Sequence, residues 1–464
     1  MYSYLTIPEK QAKLRLLIFD AGLILSVFLL SYIFRVVFYE GGHLVQIPFR
    51  ISWLVLLGLG VHLIVFYTFG LYDPKTHANR KILAINVFLS VALGSAGIGL
   101  LSFAFPEYKI GRILLSMHFA LAVAFIYALH ATYGPRLLQG EVRDVAVLGW
   151  NPLVAKIVRE LGSQDSGYRL KTLVISDQQE APSDTLDLPV YMPYNLETAL
   201  QVPDIQTVVL TQELKDKKSL HKALVDLKFQ GLEIYDGATF YERVFSRVPV
   251  SEISDGWLLY KGQDQPFQPA MYMHGKRIMD VCASICILAL SSPLFLLTAL
   301  LIKLDSRGPV FFRQERLGEF ERPFTLMKFR TMMDNAEKQT GPCWAKDNDP
   351  RFTRVGKFLR KTRMDEFPQF INVLKGDMSI VGPRPIRQHF ADIFAEKFPF
   401  YRLRFKVKPG ITGWAQVNMS YVNSDEDQYE KLEYEFYYLY HQSLFLDLFI
   451  ILKTVQSVVR MKGG

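Results

Sequence analysis

Four long apolar segments lie near the start of the chain, and they limit its possible folds more than any other feature. They occupy about 16–38, 51–71, 82–105 and 110–132. Each is long enough to cross a hydrocarbon layer of roughly 30 Å, and a single cleaved signal peptide does not explain four of them. Because 50% of the residues are hydrophobic and only 21% are charged, the composition is also too apolar for an ordinary soluble protein. The sequence therefore predicts a membrane protein whose residues 1–138 form a four-helix transmembrane bundle.

The cations beside these segments predict the orientation of the bundle. They precede the first segment, separate the second from the third and follow the fourth, and they are Lys10, Lys13, Arg15, Lys75, Arg80, Lys81, Arg136 and Arg143. The opposite loops, near 39–50 and 106–109, carry little positive charge. Since cations in short loops favour the cytoplasmic side, both ends of the bundle are expected to face the cytoplasm.

Residues 139–260 have the composition of a soluble domain in which strands alternate with helices. The strand candidates are 144–149, 171–176, 207–210 and 232–235. This alternation predicts a small parallel α/β domain. After its first strand, Asn151 stands where a dinucleotide-binding fingerprint needs a second glycine, so a structural or regulatory role is favoured over nucleotide binding. Residues 261–275 are expected to form a linker.

A fifth apolar segment, Ile278–Ile302, is long enough to span the membrane, but its flanks argue against a simple span. Cations stand on both sides of it, namely Lys276, Arg277, Lys303, Arg307, Arg313 and Arg316. Both flanks therefore prefer the cytoplasmic side, and Pro293, which follows Ser292 near the middle, bends a helix because it removes a backbone hydrogen bond. A re-entrant helix over about 276–304 satisfies these observations and would bring an active site to the lipid head groups. A fifth span with a proline kink remains the alternative.

Two adjacent carboxylates, Asp365 and Glu366, follow a stretch of cations that contains no acid. The cations are Arg351, Arg354, Lys357, Arg360, Lys361 and Arg363. A cationic surface attracts a polyanion, and adjacent carboxylates can supply a nucleophile and a ligand for a divalent metal. Prolines and glycines nearby are expected to fix the directions of Lys328, Arg330 and Arg384. This pattern predicts a cradle for phosphate groups.

Asp365 is also expected to cap a helix that runs from Glu366 to about Lys375 and ends at Gly376. The N–H groups and the helix dipole at that position would keep its carboxylate ionised at neutral pH. Arg384, which stands between two prolines, would offer a bidentate guanidinium fork to phosphate oxygens.

Taken together, these motifs resemble those of the bacterial polyprenyl-phosphate hexose-1-phosphate transferases, also called monotopic phosphoglycosyl transferases. The matching residues are Lys276-Arg277-x-x-Asp280, Ser292-Pro293, Gly308-Pro309, Arg313 to Arg316, Lys328 to Met332, Thr353 to Gly356, Asp365-Glu366-x-Pro368-Gln369, Asn372 to Ser379, Gly382-Pro383-Arg384-Pro385 and Lys408 to Trp414. The N-terminal part looks like that of the family's long form, which has four spans and a degenerate Rossmann-like domain. Within it, Thr239–Arg243 and Val248–Val250 resemble the branch that transfers glucosyl phosphate for exopolysaccharides.

The resemblance implies that residues 276–464 form a mainly α-helical, monotopic catalytic domain on the cytoplasmic face of the bacterial inner membrane. Such enzymes transfer a hexose 1-phosphate from a UDP-sugar to undecaprenyl phosphate through a phospho-aspartyl intermediate. The products are undecaprenyl-diphosphate-sugar and UMP, and the reaction initiates exopolysaccharide, capsule or O-antigen synthesis. The partners implied are the two substrates and the lipid bilayer, with a homodimer possible and no nucleic acid. The sugar, which is glucose, galactose or an N-acetylated sugar, is left open.

The resemblance also implies roles for individual residues. Asp365 would be the nucleophile, and Glu366, together with Asp365, would bind Mg²⁺. Contacts to the substrate and its phosphates would come from Lys328, Arg330, Arg360, Arg384 and Glu435. The family usually has an aspartate where this chain has Glu435, so the carboxylate here stands on a side chain that is one methylene longer.

Two other functions compete with this one on the residues alone. A membrane-bound nucleotide-sugar dehydratase or epimerase can carry a similar four-span N-terminus, and Tyr272-x-x-x-Lys276 fits its tyrosine–lysine pair. However, no intact glycine-rich loop precedes that pair in a soluble segment. A non-enzymatic scaffold of polysaccharide export would not need an Asp-Glu pair among fixed arginines. Release of UMP from a UDP-sugar in the presence of undecaprenyl phosphate distinguishes all three functions.

Overall fold

The structure, a computed structural model, describes most of the chain. The described residues are 7–39, 49–77, 79–104, 111–138, 142–163, 167–174, 190–191, 205–210, 218–229, 231–250, 269–333, 351–419 and 424–459. Most of the linker predicted at 261–275 lies outside them. The chain divides into two compact units, of which one contains residues 1–150 and 158–235 and the other contains residues 151–157 and 236–464.

The first unit begins with a helix bundle. Its helices are α1 (Ile7–Tyr39), α2 (Phe49–Thr68), α3 (Pro74–His77), α4 (Arg80–Ala104), α5 (Arg112–Thr132) and α6 (Gly134–Leu138). The core of the bundle takes one or more fully buried apolar side chains from each long helix, for example Leu16, Phe66, Val87 and Ile126. Other large apolar side chains face outward, and Phe103 is 85% exposed. Such an apolar exterior suits a bundle surrounded by lipid rather than by water.

Among the described residues, four helical segments are long and apolar enough to cross a membrane. They are Ala12–Phe34, Arg80–Ala104 and Arg112–Thr132 in the bundle, and Ala270–Asp305 in the second unit. The second span predicted from the sequence corresponds to α2, a helix of 20 residues. The structure therefore confirms the prediction of a membrane protein with an N-terminal helix bundle.

The rest of the first unit contains a five-stranded sheet in the order β3-β2-β1-β4-β5. The elements of this part of the chain are β1 (Arg143–Leu148), α7 (Pro152–Ser163), β2 (Tyr168–Val174), β3 (Val190–Tyr191), β4 (Ile205–Leu210), α8 (Lys218–Phe229) and β5 (Glu233–Asp236). Residues 152–157 of α7 and the last residue of β5 are grouped with the second unit. Strand β1 is parallel to both of its neighbours, and β2 is parallel to β3. Ala146, Val174 and Val208 are buried together with Leu224 of α8. The predicted small parallel α/β domain is present, with its strands close to the expected positions.

The turn that follows β1 closes the beginning of helix α7. Gly149 has a φ of 94°, which a residue with a side chain rarely adopts. The side-chain oxygen of Asn151 accepts the backbone N–H of Val154 at 2.8 Å. In a dinucleotide-binding turn, N–H groups at this position point at a pyrophosphate. Because Asn151 already binds one of them, the turn supports the expectation that nucleotide binding is disfavoured here.

The second unit consists mainly of helices, with two small strand pairs. Its elements after β5 are α9 (Gly237–Phe245), α10 (Ala270–Asp305), β6 (Phe311–Leu317), β7 (Pro323–Phe329), α11 (Arg354–Lys361), α12 (Gln369–Lys375), β8 (Ser379–Val381), α13 (Gln388–Lys397), β9 (Gly410–Thr412), α14 (Trp414–Asn418), α15 (Asp425–Tyr440) and α16 (Leu444–Val459). Strands β6 and β7 form an antiparallel hairpin, and β8 is parallel to β9. The carboxylate pair lies in a short 3₁₀ turn between α11 and α12.

Helix α10 is attached to the second unit at both ends. Near its beginning, the guanidinium of Arg277 donates to the carbonyls of Val373 and Leu374 at 2.6 and 2.8 Å. Near its end, the carboxylate of Asp305 accepts the N–H of Val355 at 2.9 Å. Between these contacts the helix exposes large apolar side chains, namely Ile285, Leu290, Leu294, Leu296, Leu297, Leu300 and Leu301. The apolar middle of the helix is therefore available to lipid while both ends belong to one protein unit.

The Ser-Pro pair lies inside α10, and the helix continues through it without interruption. Pro293 has no N–H to donate to the carbonyl of Ala289, four residues earlier. The hydroxyl of Ser292 donates to that carbonyl at 2.8 Å, and the hydroxyl of Ser291 donates to the carbonyl of Ile287 at 2.6 Å. Since an unpaired carbonyl is costly in lipid, the serines explain how this helix tolerates a proline.

Residues 236–250 pack on helix α15. The N–H of Val248 donates to the carbonyl of Glu433 at 3.1 Å, and the indole N–H of Trp414 donates to the carbonyl of Ser246 at 3.0 Å. Residues 139–260 were predicted to form the α/β domain, whereas in the structure residues 236–250 group with the C-terminal elements.

Candidate active site

Asp365 and Glu366 lie in the 3₁₀ turn Met364–Glu366. Helix α12 begins three residues after Glu366, behind Pro368, and no side chain caps it. The prediction that Asp365 caps a helix beginning at Glu366 is therefore wrong. The reason is local, since Pro368 has no N–H to donate to an earlier carbonyl and a proline fits the start of a helix. The predicted end at Lys375 is confirmed, with the next residue, a glycine, at a φ of 92°.

Three cations surround the carboxylate of Glu366. Its Oε1 atom lies 3.1 Å from Nζ of Lys328, 3.0 Å from Nη2 of Arg384 and 3.9 Å from Nη1 of Arg363. Glu366 is 8% exposed. Burial alone would raise the pKa of this carboxyl, but the three cations outweigh it and hold the pKa well below its usual range. Glu366 is therefore ionised at any pH at which the protein works.

Asp365 has the same exposure, 8%, but a different electrostatic environment. Within the described residues no group donates a hydrogen bond to its carboxylate. Burial raises the pKa of Asp365, the ammonium of Lys328 lowers it, and the charge of Glu366 raises it, with a net upward shift. The helix cap that was expected to keep it ionised is absent. Because a carboxylate of higher pKa is more basic, Asp365 is the better nucleophile of the two.

The backbone conformation of Arg363 determines where its own guanidinium, one of the three cations, lies. Its φ of 58° places it in the left-handed region, which residues other than glycine adopt infrequently and which is common at functional sites. The turn leaves its guanidinium beside Glu366 rather than along the face of α11. The sequence showed Arg363 as the last member of a cationic stretch, but not this orientation.

Lys328 and Arg384 reach the pair from two different strand pairs. Lys328 lies at the penultimate position of β7 and pairs with Phe312 across the β6–β7 hairpin. Arg384 follows β8, where the N–H of Gly410 donates to the carbonyl of Pro383 at 2.9 Å. The antiparallel pairing and this backbone bond fix the starting points of both side chains. The predicted contribution of Lys328 and Arg384 to the site is thus supported by their contacts with Glu366.

The glycines of the two motifs around Arg384 allow their backbones to touch. A Cβ atom on Gly382 would lie 2.3 Å from the carbonyl oxygen of Lys408, and a Cβ on Gly413 would lie 2.3 Å from that of Gly382. Both distances are shorter than any real contact, so a side chain at either position would force the β8 and β9 segments apart. The close contact between the backbones of the Gly-Pro-Arg-Pro and Pro-Gly-Ile-Thr-Gly motifs therefore fixes the position of the Arg384 backbone.

Glu435 does not face the carboxylate pair, so the prediction that it contacts the substrate is corrected. Both of its carboxylate oxygens accept from the guanidinium of Arg404, each at 2.7 Å. Arg404 also donates to the backbone carbonyl of Arg384 at 2.9 Å. The sequence could not predict this pair, because Arg404 and Glu435 are far apart along the chain. Several other cations lie in the same segment as Arg404, and no local pattern marked it as the partner of Glu435.

Arg330 is also corrected as a phosphate contact, whereas the contact predicted for Arg360 stays a prediction. Arg330 is 5% exposed, and its guanidinium donates to the carbonyls of Arg307 and Ser306 at 2.5 and 2.9 Å. It therefore binds the carbonyls of the two residues that directly follow α10, as cations at helix ends commonly do. The guanidinium of Arg360 lies 4.2 Å from the centre of the Phe352 ring, and its side chain is exposed on α11. Within the described residues neither arginine contacts the carboxylate pair.

Lys276 and Asp280 anchor the beginning of α10. The ammonium of Lys276 lies 2.9 Å from the carboxylate of Asp447, and the hydroxyl of Tyr272 donates to the same carboxylate at 2.9 Å. Asp280 accepts the N–H of Ile380 at 3.0 Å. The tyrosine–lysine pair that fitted a dehydratase or epimerase is therefore buried against Asp447, where it serves as a structural anchor.

Lys431 is a cation near the site that the sequence analysis missed. The pKa of its ammonium is lowered to about 8: burial is the largest cause, Glu435 opposes it by raising the pKa, and Arg404, Arg384 and Arg316 add to the lowering. Lys431 precedes Glu435 by four residues on helix α15. That spacing puts the two side chains on one helix face, and it was the signal in the sequence that could have identified Lys431.

The carboxylate pair fits a Mg²⁺ ion whose coordination is completed by ligand oxygens. Within the described residues no group of three or more His, Cys, Asp or Glu side chains could hold a metal. Mg²⁺, however, often uses one or two protein carboxylates and takes its other ligands from water and substrate phosphates. The carboxylate of Asp365 and the Oε2 atom of Glu366 suit this, because all three cations contact Oε1 of Glu366.

Comparison with known proteins identifies the C-terminal part of the chain. Residues 271–461 match the sequence model of a family described as bacterial sugar transferase. The UDP-N-acetylgalactosamine-undecaprenyl-phosphate N-acetylgalactosaminephosphotransferase of Aeromonas hydrophila is 50% identical over 194 residues, which are 42% of this chain and 46% of that protein. The uncharacterized sugar transferase EpsL of Bacillus subtilis (strain 168) is 41% identical over 188 residues, which are 40% of this chain and 89% of that protein. This chain belongs to the bacterial sugar transferase family.

One further relative is named for a different sugar. The UDP-glucose:undecaprenyl-phosphate glucose-1-phosphate transferase of Escherichia coli (strain K12) is 45% identical over 184 residues, which are 39% of each chain. The matched part therefore spans less than half of the Aeromonas and Escherichia relatives. Every residue that contacts Glu366 lies inside the region matched to the bacterial sugar transferases. The resemblance found in the sequence is confirmed at the level of the family.

Proposed function

We propose that this protein transfers a hexose or N-acetylhexosamine 1-phosphate from a UDP-sugar to undecaprenyl phosphate, with release of UMP. The observation that carries this proposal is the surplus of positive charge at the carboxylate pair. Lys328, Arg384 and Arg363 all contact Glu366, and Asp365 beside it receives no hydrogen bond from the described residues. Such a site stabilises a bound polyanion while one carboxylate stays available for reaction.

In the first step, a carboxylate oxygen of Asp365 attacks the phosphorus that carries the sugar. A bond forms between Asp365 and this phosphorus, and the bond to the bridging oxygen breaks, so that UMP departs with the electron pair. Asp365 must be ionised for this attack. The guanidinium of Arg384 and the ammonium of Lys328 would balance the charge that develops on the phosphoryl oxygens.

In the second step, a phosphate oxygen of undecaprenyl phosphate attacks the phospho-aspartyl group. The new phosphorus–oxygen bond forms the lipid diphosphate, and the bond to Asp365 breaks, which returns the free carboxylate. A covalent intermediate lets the water-soluble donor and the lipid acceptor use the site in turn. When bound, Mg²⁺ held by Glu366 and Asp365 would neutralise phosphate charge.

The attachment of helix α10 supports a site at the membrane surface. Both ends of the helix contact the rest of the second unit, through Arg277 and Asp305, and many large apolar side chains between them are exposed. We therefore retain the re-entrant arrangement, with both ends of α10 and the catalytic residues on the cytoplasmic face of the inner membrane. The strand order of the α/β sheet likewise supports its comparison with a Rossmann-like domain.

Turnover with a panel of UDP-sugars tests the proposal. Purified protein in detergent or vesicles receives undecaprenyl phosphate, Mg²⁺ and UDP-glucose, UDP-galactose, UDP-N-acetylglucosamine or UDP-N-acetylgalactosamine. We expect UMP release and a labelled lipid product with at least one of them. The names of the Aeromonas and Escherichia relatives make N-acetylgalactosamine and glucose the first sugars to test. Absence of UMP with the whole panel would show that the proposed function is wrong.

A further inference from the structure

Helix α15 carries two buried carboxylates on opposite faces. The side chain of Glu433 is 0% exposed and that of Glu435 is 4% exposed. Residues two positions apart on an α-helix point about 200° apart, so the two carboxylates cannot share a partner. A buried carboxylate is costly unless it is paired, and each of these has its own set of partners.

Glu435 is linked to the carboxylate pair through two arginines. Arg404 donates to both carboxylate oxygens of Glu435 at 2.7 Å and to the backbone carbonyl of Arg384 at 2.9 Å. The guanidinium of Arg384 then contacts Glu366 at 3.0 Å. Each link is a charge-assisted hydrogen bond, the stronger kind in proteins. A change at Glu435 is thus transmitted to the position of the Arg384 side chain.

Glu433 has no such link. Its carboxylate accepts from the ammonium of Lys156 at 2.7 Å and from the hydroxyl of Tyr241 at 3.0 Å. Both partners belong to the segments 151–157 and 236–250, which pack on the face of α15 away from Arg404. Glu433 therefore offers a matched control, since it is the same residue type, on the same helix and equally buried, but bound to different elements.

We propose that Arg404 and Glu435 are positioning residues that hold Arg384 on the carboxylate pair. Neither reaches a substrate itself, because their side chains are 1% and 4% exposed and both oxygens of Glu435 are occupied by Arg404. Their contact with the backbone of Arg384 fixes the origin of that side chain, which is otherwise 36% exposed. This role goes beyond the pair and its cations, and it rests on the proposed transferase function.

A double-mutant cycle tests this positioning role. UMP release is measured for the wild-type protein, Glu435→Gln, Arg384→Ala and the double variant, at saturating and limiting UDP-sugar. Glu435→Gln is expected to lower kcat about 10- to 100-fold, with KM changed less than about threefold, because positioning matters most in the transition state. In the Arg384→Ala background the same change is expected to cost less than about threefold, since Arg404 and Glu435 act through Arg384.

Glu433→Gln supplies the control for general damage to helix α15. It is expected to lower the melting temperature at least as much as Glu435→Gln, and its effect on kcat should be the same factor with or without Arg384. Glu435→Asp, which keeps the charge, should retain more activity than Glu435→Gln. If Glu435→Gln costs the same factor in both backgrounds of an active protein, the positioning role is wrong and the transferase function stands. If the wild-type protein releases no UMP, both proposals fail.

Discussion

Two buried carboxylates of the second unit, Asp447 and Glu366, are built in opposite ways. Asp447 is 0% exposed and accepts from one cation and two hydroxyls, those of Lys276, Tyr272 and Tyr438, at 2.9, 2.9 and 2.8 Å. The ammonium balances the charge of Asp447, and all three partners donate hydrogen bonds to its carboxylate oxygens. Glu366 is contacted by three cations, and the neighbouring Asp365 has no donor among the described residues.

The difference separates a structural carboxylate from a functional one. A buried ion pair whose groups are all satisfied holds its elements together, and removing one member leaves an uncompensated charge. A site with more cations than it needs stores unfavourable repulsion, which a bound anion relieves. Asp447 therefore anchors the beginning of α10, whereas the cations at Glu366 would, in the proposed function, favour a bound phosphate. Substitutions at the two sites are expected to have different consequences.

The largest difference is expected between Asp365→Asn and Asp447→Asn. Asp365→Asn should lower turnover by at least about a thousandfold, because an amide is nearly isosteric but barely nucleophilic, and the melting temperature should change little. Asp447→Asn should reduce the melting temperature and the yield, while the kcat of the folded fraction stays within about tenfold. Radiolabelled UDP-sugar without lipid should label the wild-type protein and the Asp447 variant only. Covalent labelling of Asp365→Asn would disprove the nucleophile assignment.

Removing one cation from each of the two sites should give the next largest difference between them. Arg384→Ala is expected to lower kcat about 100- to 1,000-fold, the usual effect of losing one donor to a developing oxyanion, with little loss of stability. Lys276→Met should instead destabilise the protein by about 3–5 kcal/mol, because it leaves Asp447 charged and unpaired. Denaturation in detergent and steady-state kinetics on the same preparations measure both effects. Equal losses of stability in the two variants would contradict the comparison.

The sequence predicted the membrane bundle, the α/β domain and the identity of the carboxylate pair, because these depend on local composition and on motifs. Hydrophobic length marked the helices, and alternation marked the strands. The contacts of long side chains were less predictable. Arg330 and Arg384 were both predicted to belong to the phosphate cradle. Only Arg384 contacts Glu366, because Arg330 binds the carbonyls at the C-terminal end of α10.

The errors have physical causes in particular residues. Pro368 delayed the helix that Asp365 was expected to cap, and the positive φ of Arg363 could not be read from the sequence. Glu435 was assigned to the substrate through the family resemblance, and its pairing with Arg404, 31 positions away, could not be read from a local pattern. Pairing over such distances depends on the complete fold, whereas a local pattern determines only which charged residues are available.

The anchor at Asp447 also permits a topology test of helix α10. Cysteines at Met271 and Arg307, in a background without native cysteines, are exposed to a membrane-impermeant thiol reagent in intact cells. Met271 is 88% exposed and leaves the Lys276–Asp447 pair intact. Both sites should be protected in the parent protein if both ends of α10 lie in the cytoplasm. Labelling at 307 alone would establish a fifth span and exclude the re-entrant arrangement.

Pro293→Ala sharpens the same test. Proline in a helix interior costs roughly 3 kcal/mol relative to alanine, so the substitution should favour a straighter helix and let some molecules span. A fraction of the molecules should then become labelled at 307. The matched control is Ser291→Ala, which removes a hydroxyl that donates to the carbonyl of Ile287 but leaves the proline in place. Equal labelling in both variants would mean that the proline does not determine the topology.

The smallest effect on stability is expected at Lys431. Replacing Lys431 should stabilise the protein, whereas replacing Lys276 should destabilise it. The pKa of Lys431 is lowered to about 8 in the folded protein, against about 10.4 for a free lysine, so its charged form is disfavoured by folding. Below pH 8 the folded state carries this penalty in full, and the penalty disappears as pH rises from about 8 to about 10.4. Lys431→Met should therefore raise the melting temperature by a few degrees at pH 7, and the gain should shrink between pH 8 and 10. If the Lys431 variant were less stable than the wild-type protein at pH 7, its partners would stabilise the ammonium of Lys431, as Asp447 stabilises that of Lys276, and the prediction would be wrong.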